Sequence, residues 1–245
     1  MNADGGITFA GAPYVNSLPL MHYLADESEV TVLYDHPSAL ASYLEKGVAD
    51  VALVPVVQWF NHPEWTRIKG LGIASSGPVR SVLLRCNVPP EQIKTIAYDS
   101  ASNTSNRLAQ WILKKRFDVV PTQASVLLAD AEVVIGDRAL NVSEAAFGNI
   151  DLAQAWNELT HLPFVFAVWA VRKINPNLKH ISQVAHAACA QGLNSLNTIA
   201  KIQASRSTHS VDFWMDYLSS CIRYTLTNAD EEAIAYFRKI EEEDA

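Results

Sequence analysis

Charge is scarce in this chain. Asp, Glu, Lys and Arg make up only 18% of its 245 residues, while hydrophobic residues reach 49%. That balance excludes a disordered chain and supplies ample material for a buried core. Cysteine is rarer still: Cys86, Cys189 and Cys221 stand far apart with no CxxC pair. This excludes a disulfide framework or zinc knuckle and marks all three as small core residues. The seven histidines form no HxH or HExxH pair, so no metal site is expected. No apolar run approaches the roughly 18 residues of a membrane span, and no membrane partner is expected. The start, "MNADGG", lacks the basic region and apolar core of a signal peptide, so the expected location is cytoplasmic. Basic residues are outnumbered 19 to 26, for a net charge of −7. Residues 228–245 alone carry seven acids against two bases. Without a basic stripe, nucleic acid is not an expected partner. Missing too are a GxxxxGK[ST] phosphate loop, a GxGxxG turn after a strand and a GxSxG elbow. Nucleotide triphosphates, dinucleotides and hydrolase triads are not indicated, and no cofactor is expected.

What is present alternates. "ITFAGAP", "EVTVLYD", "ADVALVPVV", "SVLLRC", "KTIAYD", "AEVVIGD" and "PFVFAVWAV" read as strands. "SLPLMHYL", "SALASYLEKG" and "NRLAQWILKKR" read as helices; Ser38 is the expected N-cap of the second and Gly47 its stop. In the third, Leu108, Trp111 and Ile112 face a core. Beyond residue 172 the pattern reads as helix only, ending in a helix with Ile234, Phe237 and Ile240 on its apolar side. Alternating strands and helices predict an α/β fold with mostly parallel strands. Two strands read as crossings between lobes, near 81–86 and 163–171. They divide the chain into a discontinuous first lobe, 1–84 plus 168–245, and a second lobe, 85–167, with a central cleft between. Ligands of open α/β sheets sit outside the carboxyl ends of the strands.

Four strand exits are polar. "YDSASNTSN" places Ser100, Ser102, Asn103, Thr104, Ser105 and Asn106 just before an amphipathic helix. Ordinary capping needs one such residue; hydroxyls around free N–H groups at a helix start suit a carboxylate or a single phosphate. Asn16-Ser17 leaves the first strand between the stiffening Pro13 and Pro19. Ser81, beside Arg80, opens a crossing strand. In "VIGDRAL", Gly136 permits a tight turn, and Asp137 either caps the following helix or faces the cleft. On these residues alone, a small-anion binding protein and an enzyme are equally supported.

The ordered series of motifs resembles one family. "YVNSLPL", "GVADVALVPVV", "DSASNTSNRLAQWIL", "VIGDRAL" and "WNELTHLPFVFAVWAVR", across residues 9–172, are similar to the menaquinone-biosynthesis family with a two-lobed periplasmic-binding-protein-like (type II) fold. Within it, the opening motif is more similar to the branch that dehydrates chorismate in the futalosine route than to the sister branch that makes 1,4-dihydroxy-6-naphthoate. Two positions depart: Asn103 stands where many relatives carry arginine, and His161 where glycine is usual. The resemblance implies chorismate as the substrate, a dicarboxylate, with loss of water and no cofactor. It assigns Asn16 and Asp137 to the reacting edge, and Ser17, Ser81, Ser102, Asn103, Thr104, Ser105 and Gly136 to substrate binding. Arg80 and Arg138 are further candidates for local attraction of the anion. The proton acceptor is either Asp137 or the substrate's own enolpyruvyl carboxylate, and the poor inventory of bases favours the second. Oligomeric state is not legible.

Overall fold

The computed structural model describes residues 6–243. Its strands are β1 (Ile7–Gly11), β2 (Val30–Tyr34), β3 (Val51–Pro55), β4 (Trp65–Ser75), β5 (Val82–Cys86), β6 (Thr95–Ala97), β7 (Thr122–Gln123), β8 (Ala131–Ile135), β9 (Asn149–Asp151), β10 (Phe164–Arg172) and β11 (Arg223–Thr225). Its α-helices are α1 (Leu18–Met21), α2 (Pro37–Glu45), α3 (Val56–Phe60), α4 (Asn103–Phe117), α5 (Gly136–Ala139), α6 (Leu152–Thr160), α7 (Leu178–Asn194), α8 (Leu196–Ala204), α9 (Val211–Asp216) and α10 (Asn228–Glu243). None is long and apolar enough to cross a membrane. The strands form two sheets, ordered β11-β4-β10-β3-β1-β2 and β7-β6-β8-β5-β9.

Both sheets are mixed, where mostly parallel strands were expected. In the first, β1 runs parallel to β2 and β3, but β10 runs antiparallel to β3 and β11 to β4. In the second, β6 runs parallel to β7 and β8, whereas β5 is antiparallel to β8 and β9. Strand β4 escaped the sequence reading because Gly70 and Gly72 look like breakers. Gly72 is there for close approach: a Cβ would come 2.7 Å from the Ala167 carbonyl oxygen. The helix-only reading beyond residue 172 also fails, since β11 adds a short edge strand after a π-helical turn at Tyr217–Cys221. Helix α2 starts two residues early, at Pro37, with His36 rather than Ser38 as N-cap; proline at the first helical position needs no N–H partner.

The chain divides into two compact units, Met1–Ala74 with Val165–Thr227, and Ser75–Phe164 with Asn228–Ala245. Strand β5, read as the first crossing, lies wholly inside the second unit, and the chain changes unit after Ala74 instead. Helix α10, expected in the first lobe, belongs to the second unit. Its apolar face explains the choice. Phe237 packs on Trp156 and Phe164, with ring centroids 5.6 and 5.0 Å apart. Trp156, fully buried, also meets Trp111 of α4 at 4.9 Å and donates its indole N–H to the Pro163 carbonyl at 3.0 Å. Removing such a ring typically costs about 3–5 kcal/mol. In the first unit, Phe9 of β1 sets its edge against Trp169 of β10 at 5.4 Å, and α7 packs along α1.

Candidate functional site

In the first unit, β1 ends at Gly11 and the chain turns through Ala12, Pro13 and Tyr14 into a 3-10 turn, Val15–Ser17, that runs into α1. Ser17 is buried and turns its hydroxyl back on the loop, 2.7 Å from both the Ala12 and Tyr14 carbonyls. That geometry makes Ser17 a brace of the turn; its proton is used inside the loop rather than offered to a ligand. Asn16 differs. Its amide is half-buried and makes no hydrogen bond to another described residue. The turn is locked from behind by Pro19, whose backbone abuts Gly192 of α7 so closely that a Cβ there would stand 2.0 Å from the Pro19 oxygen.

In the second unit, register gathers the polar exits at one sheet edge. Strands β6 and β8 are parallel, so their carboxyl ends share that edge. Strand β5 enters there, with Val82 opposite Ile135, and β9 ends there, with Asp151 opposite Leu83. Ser81, Asp99 with the serine loop, Gly136-Asp137 and Asp151 therefore cluster by topology. Ser81 is fully buried, and its hydroxyl has no hydrogen-bond partner among the described residues. Its carbonyl accepts the Gly136 N–H at 2.8 Å. Gly136 has φ 64°, a left-handed conformation that suits glycine, and opens α5. Asp137 sits within the first turn of α5; the N-cap position falls to Ile135, so the capping alternative is not the one realised.

The serine loop is partly spent on itself. Ser102 caps α4, accepting the Ser105 N–H at 3.2 Å, and its hydroxyl lies 3.0 Å from that of Ser105. Asn106 braces the loop, accepting the Asp99 N–H at 3.0 Å and donating to its carbonyl at 2.8 Å. Thr104 and Ser105 are buried, and Asn103 is exposed at the first helical position. What these leave for an anion is the positive end of α4's dipole and the hydroxyls around it.

Arg138 ties two exits together. It donates to Glu132 at 2.9 Å and to Asp99 at 3.1 Å, and Glu132 also takes Arg85 at 3.3 Å. Two carboxylates thus already hold the Arg138 guanidinium, which makes it a brace of the site rather than the expected attractor of the anion. The sequence reading missed Asp151. One of its oxygens caps α6 through the Ala153 and Gln154 N–H groups, both at 3.1 Å, and the other accepts the Arg80 N–H at 2.6 Å. Burial raises its carboxyl above the usual range despite these donors. The acid preceding "LAQAW" signals the cap; nothing local signals a bond across 71 residues. Cys86 and Cys189 are buried and free, their thiols pushed up to about 11, so they are core groups and not nucleophiles. No cluster of three or more His, Cys, Asp or Glu among the described residues is placed to hold a metal ion.

Comparison with known proteins gives the chain's family and fold. A family model described as menaquinone biosynthesis matches residues 7–243. A chorismate dehydratase from Thermus thermophilus is 31% identical over 217 residues, covering 79% of this chain and 80% of that protein. One from Campylobacter jejuni is 30% identical over 167 residues, 65% of each. Among solved structures, protein AF1704 from Archaeoglobus fulgidus is similar over 100% of both chains, with a TM-score of 0.75 and 13% identity. The periplasmic aliphatic sulphonate binding protein SsuA from Escherichia coli is similar over 98% of this chain and 94% of its own, at TM-score 0.63 and 12% identity. The two structures share the fold alone, an α/β periplasmic-binding-protein-like fold; the family match over residues 7–243 and the Thermus thermophilus relative make this chain a member of the menaquinone-biosynthesis family.

Proposed function

We propose that the protein is a cytoplasmic chorismate dehydratase, a carbon–oxygen lyase. It converts chorismate to 3-[(1-carboxyvinyl)oxy]benzoate and water, the entry to futalosine-route menaquinone synthesis. One observation carries the reading. In a chain whose curated relatives are named for this reaction, Ser81, at the polar edge of the second sheet, is fully buried with a hydroxyl that no described residue satisfies. A buried hydroxyl left unpaired calls for an explanation, and a polar ligand at this sheet edge supplies one.

The chemistry suits so sparse a site. The C3 hydrogen of chorismate is vinylogous to the ring carboxylate. Its removal sends charge into that carboxylate as a dienolate, and loss of the C4 hydroxyl completes a benzene ring. Aromatisation drives the reaction, so the protein's task is positioning and stabilising charge. In this proposal Ser81 and the Ser102–Ser105 turn, with the N-terminus of α4, hold carboxylate and developing negative charge. Asn16 orients the C3–C4 edge. An amide is no base; the proton goes to the substrate's enolpyruvyl carboxylate, with Asp137 the competing acceptor, and from there to the departing C4 oxygen, which leaves as water. Ser17 and Gly136 shape the turns that carry Asn16 and Asp137.

Paired variants separate the acceptors. Asn16→Ala should lower kcat about a hundredfold, some 2.7 kcal/mol of transition-state stabilisation, while Asp137→Ala leaves it intact. The reverse pattern would sink the substrate-base reading. Tight chorismate binding without turnover in the wild type would instead favour a non-catalytic dicarboxylate-binding protein, and formation of 1,4-dihydroxy-6-naphthoate from that route's later intermediate would favour the sister enzyme.

A further inference from the structure

Arg80 holds φ at 59°, a conformation that residues with a Cβ seldom adopt, immediately before the buried Ser81. Something must hold it there. The only backbone donor that Arg80 has is its N–H, and this is taken at 2.6 Å by Asp151 Oδ2. Capping α6 employs Oδ1 alone, and serine, threonine or asparagine would serve as well. The second oxygen is therefore the one that asks for a carboxylate, in a place where burial opposes its charge. On the far side of Ser81, its own carbonyl is tied to Gly136 at 2.8 Å. The serine is thus gripped at both flanks while its hydroxyl stays unpartnered among the described residues.

We infer that Asp151 is a positioning residue: by holding Arg80 left-handed it sets the direction of the Ser81 hydroxyl toward the substrate. The inference rests on the proposed dehydratase reading and adds to it a residue outside the family motifs quoted above. It touches no substrate and acts through the backbone just before Ser81, where the Val79 and Arg80 N–H groups both donate to its carboxylate.

The test is a double-variant cycle in the full chain, with kcat and KM for chorismate and the melting temperature as readouts. Asp151→Ser keeps a capping hydroxyl but cannot also reach Arg80. It should lose kcat about tenfold or more, as Ser81→Ala is expected to, with KM changed by less than about threefold. Arg80→Gly removes the need for the clamp, because glycine takes positive φ readily. The double variant Asp151→Ser/Arg80→Gly should then turn over at the rate of Arg80→Gly alone, a rescue that a mere capping role would not give. Wild-type kcat in Asp151→Ser, or a double variant still tenfold below Arg80→Gly, overturns the inference. If Asp151→Ser does not fold, Asp151→Asn keeps the cap and presents the wrong group to Arg80, and must show the same loss and rescue. Should wild type leave chorismate unchanged, the dehydratase reading falls. Hydrogen exchange still decides this inference: the Arg80 amide should exchange at least tenfold faster in Asp151→Ser, and unaltered protection overturns it.

Discussion

Replacing Gly192 by alanine should damage the molecule, against the usual rule for a helix interior. In an unconstrained helix, Gly→Ala stabilises by about 1 kcal/mol. Here Gly192 is buried on α7, and a Cβ would stand 2.0 Å from the Pro19 oxygen, 2.8 Å from its carbonyl carbon and 2.9 Å from its Cα. The obstacle is backbone, so no rotamer relieves it. Reaching an acceptable 3.0 Å requires Pro19 or α7 to withdraw by about 1 Å. Overpacking of that kind costs about 1–3 kcal/mol, and so hard a backbone contact belongs at or above the upper end. After the helix gain, a net loss of about 2 kcal/mol is expected. Urea denaturation of Gly192→Ala beside wild type measures it. The consequence for function is larger. Pro19 lies three residues beyond Asn16, and a shift of about 1 Å at a positioned group can cost about a hundredfold in rate. Gly192→Ala should therefore lose both stability and chorismate turnover. A variant about 1 kcal/mol more stable than wild type, with unchanged kcat, would refute the claim that α7 sets the Asn16 turn.

Other expectations follow from single groups. Left-handed His161 (φ 59°) ends α6, where glycine relieves about 1–2 kcal/mol of strain and returns about 0.5–1 kcal/mol as unfolded-chain entropy; His161→Gly should gain about 0.5 kcal/mol in denaturant melts, and a loss would contradict this. With thiols at about 11, Cys86 and Cys189 are ionised to about one part in a thousand at pH 8; iodoacetamide should label them only when denaturant unfolds the chain, and rapid labelling of native protein would contradict their burial. Because burial raises the Asp151 carboxyl, the folded chain keeps that proton to higher pH than the unfolded one. This stabilisation is fully present below the ordinary carboxylate range and is lost as pH rises through the raised value. The stability of wild type relative to the non-titrating Asp151→Asn should thus fall in urea titrations as pH rises from below the ordinary carboxylate range through the raised value, and a rise would refute the assignment.

Much of this was legible from residue pattern. Strands buried on both faces, such as β1 and β3, announce themselves as unbroken apolar runs, and α4 and α10 by the spacing of Trp111 and Phe237. Strand β4 was hidden because its glycines serve neighbouring backbone and side chains, a long-range reason that a local window reads as a break. Short β7, β9 and β11 hold too few residues to show a period. Helix α10 joined the second unit through Trp156 and Phe164, partners distant in sequence. The polar exits at Asn16, Ser81 and the serine loop were visible as residue types. Their division of labour was not: Ser17, Asn106 and Arg138 are spent on bracing, and only hydrogen-bond geometry separates them from Asn16 and Ser81.

The central claim is that this chain removes the C3 hydrogen and the C4 hydroxyl of chorismate together. Chorismate deuterated at C3, incubated with the purified protein and followed by mass spectrometry, tests it most directly. The account predicts loss of the diene absorbance and an aromatic product free of the label, lighter than the deuterated substrate by the mass of HDO. Unchanged chorismate, or a product that retains the deuterium, would contradict it.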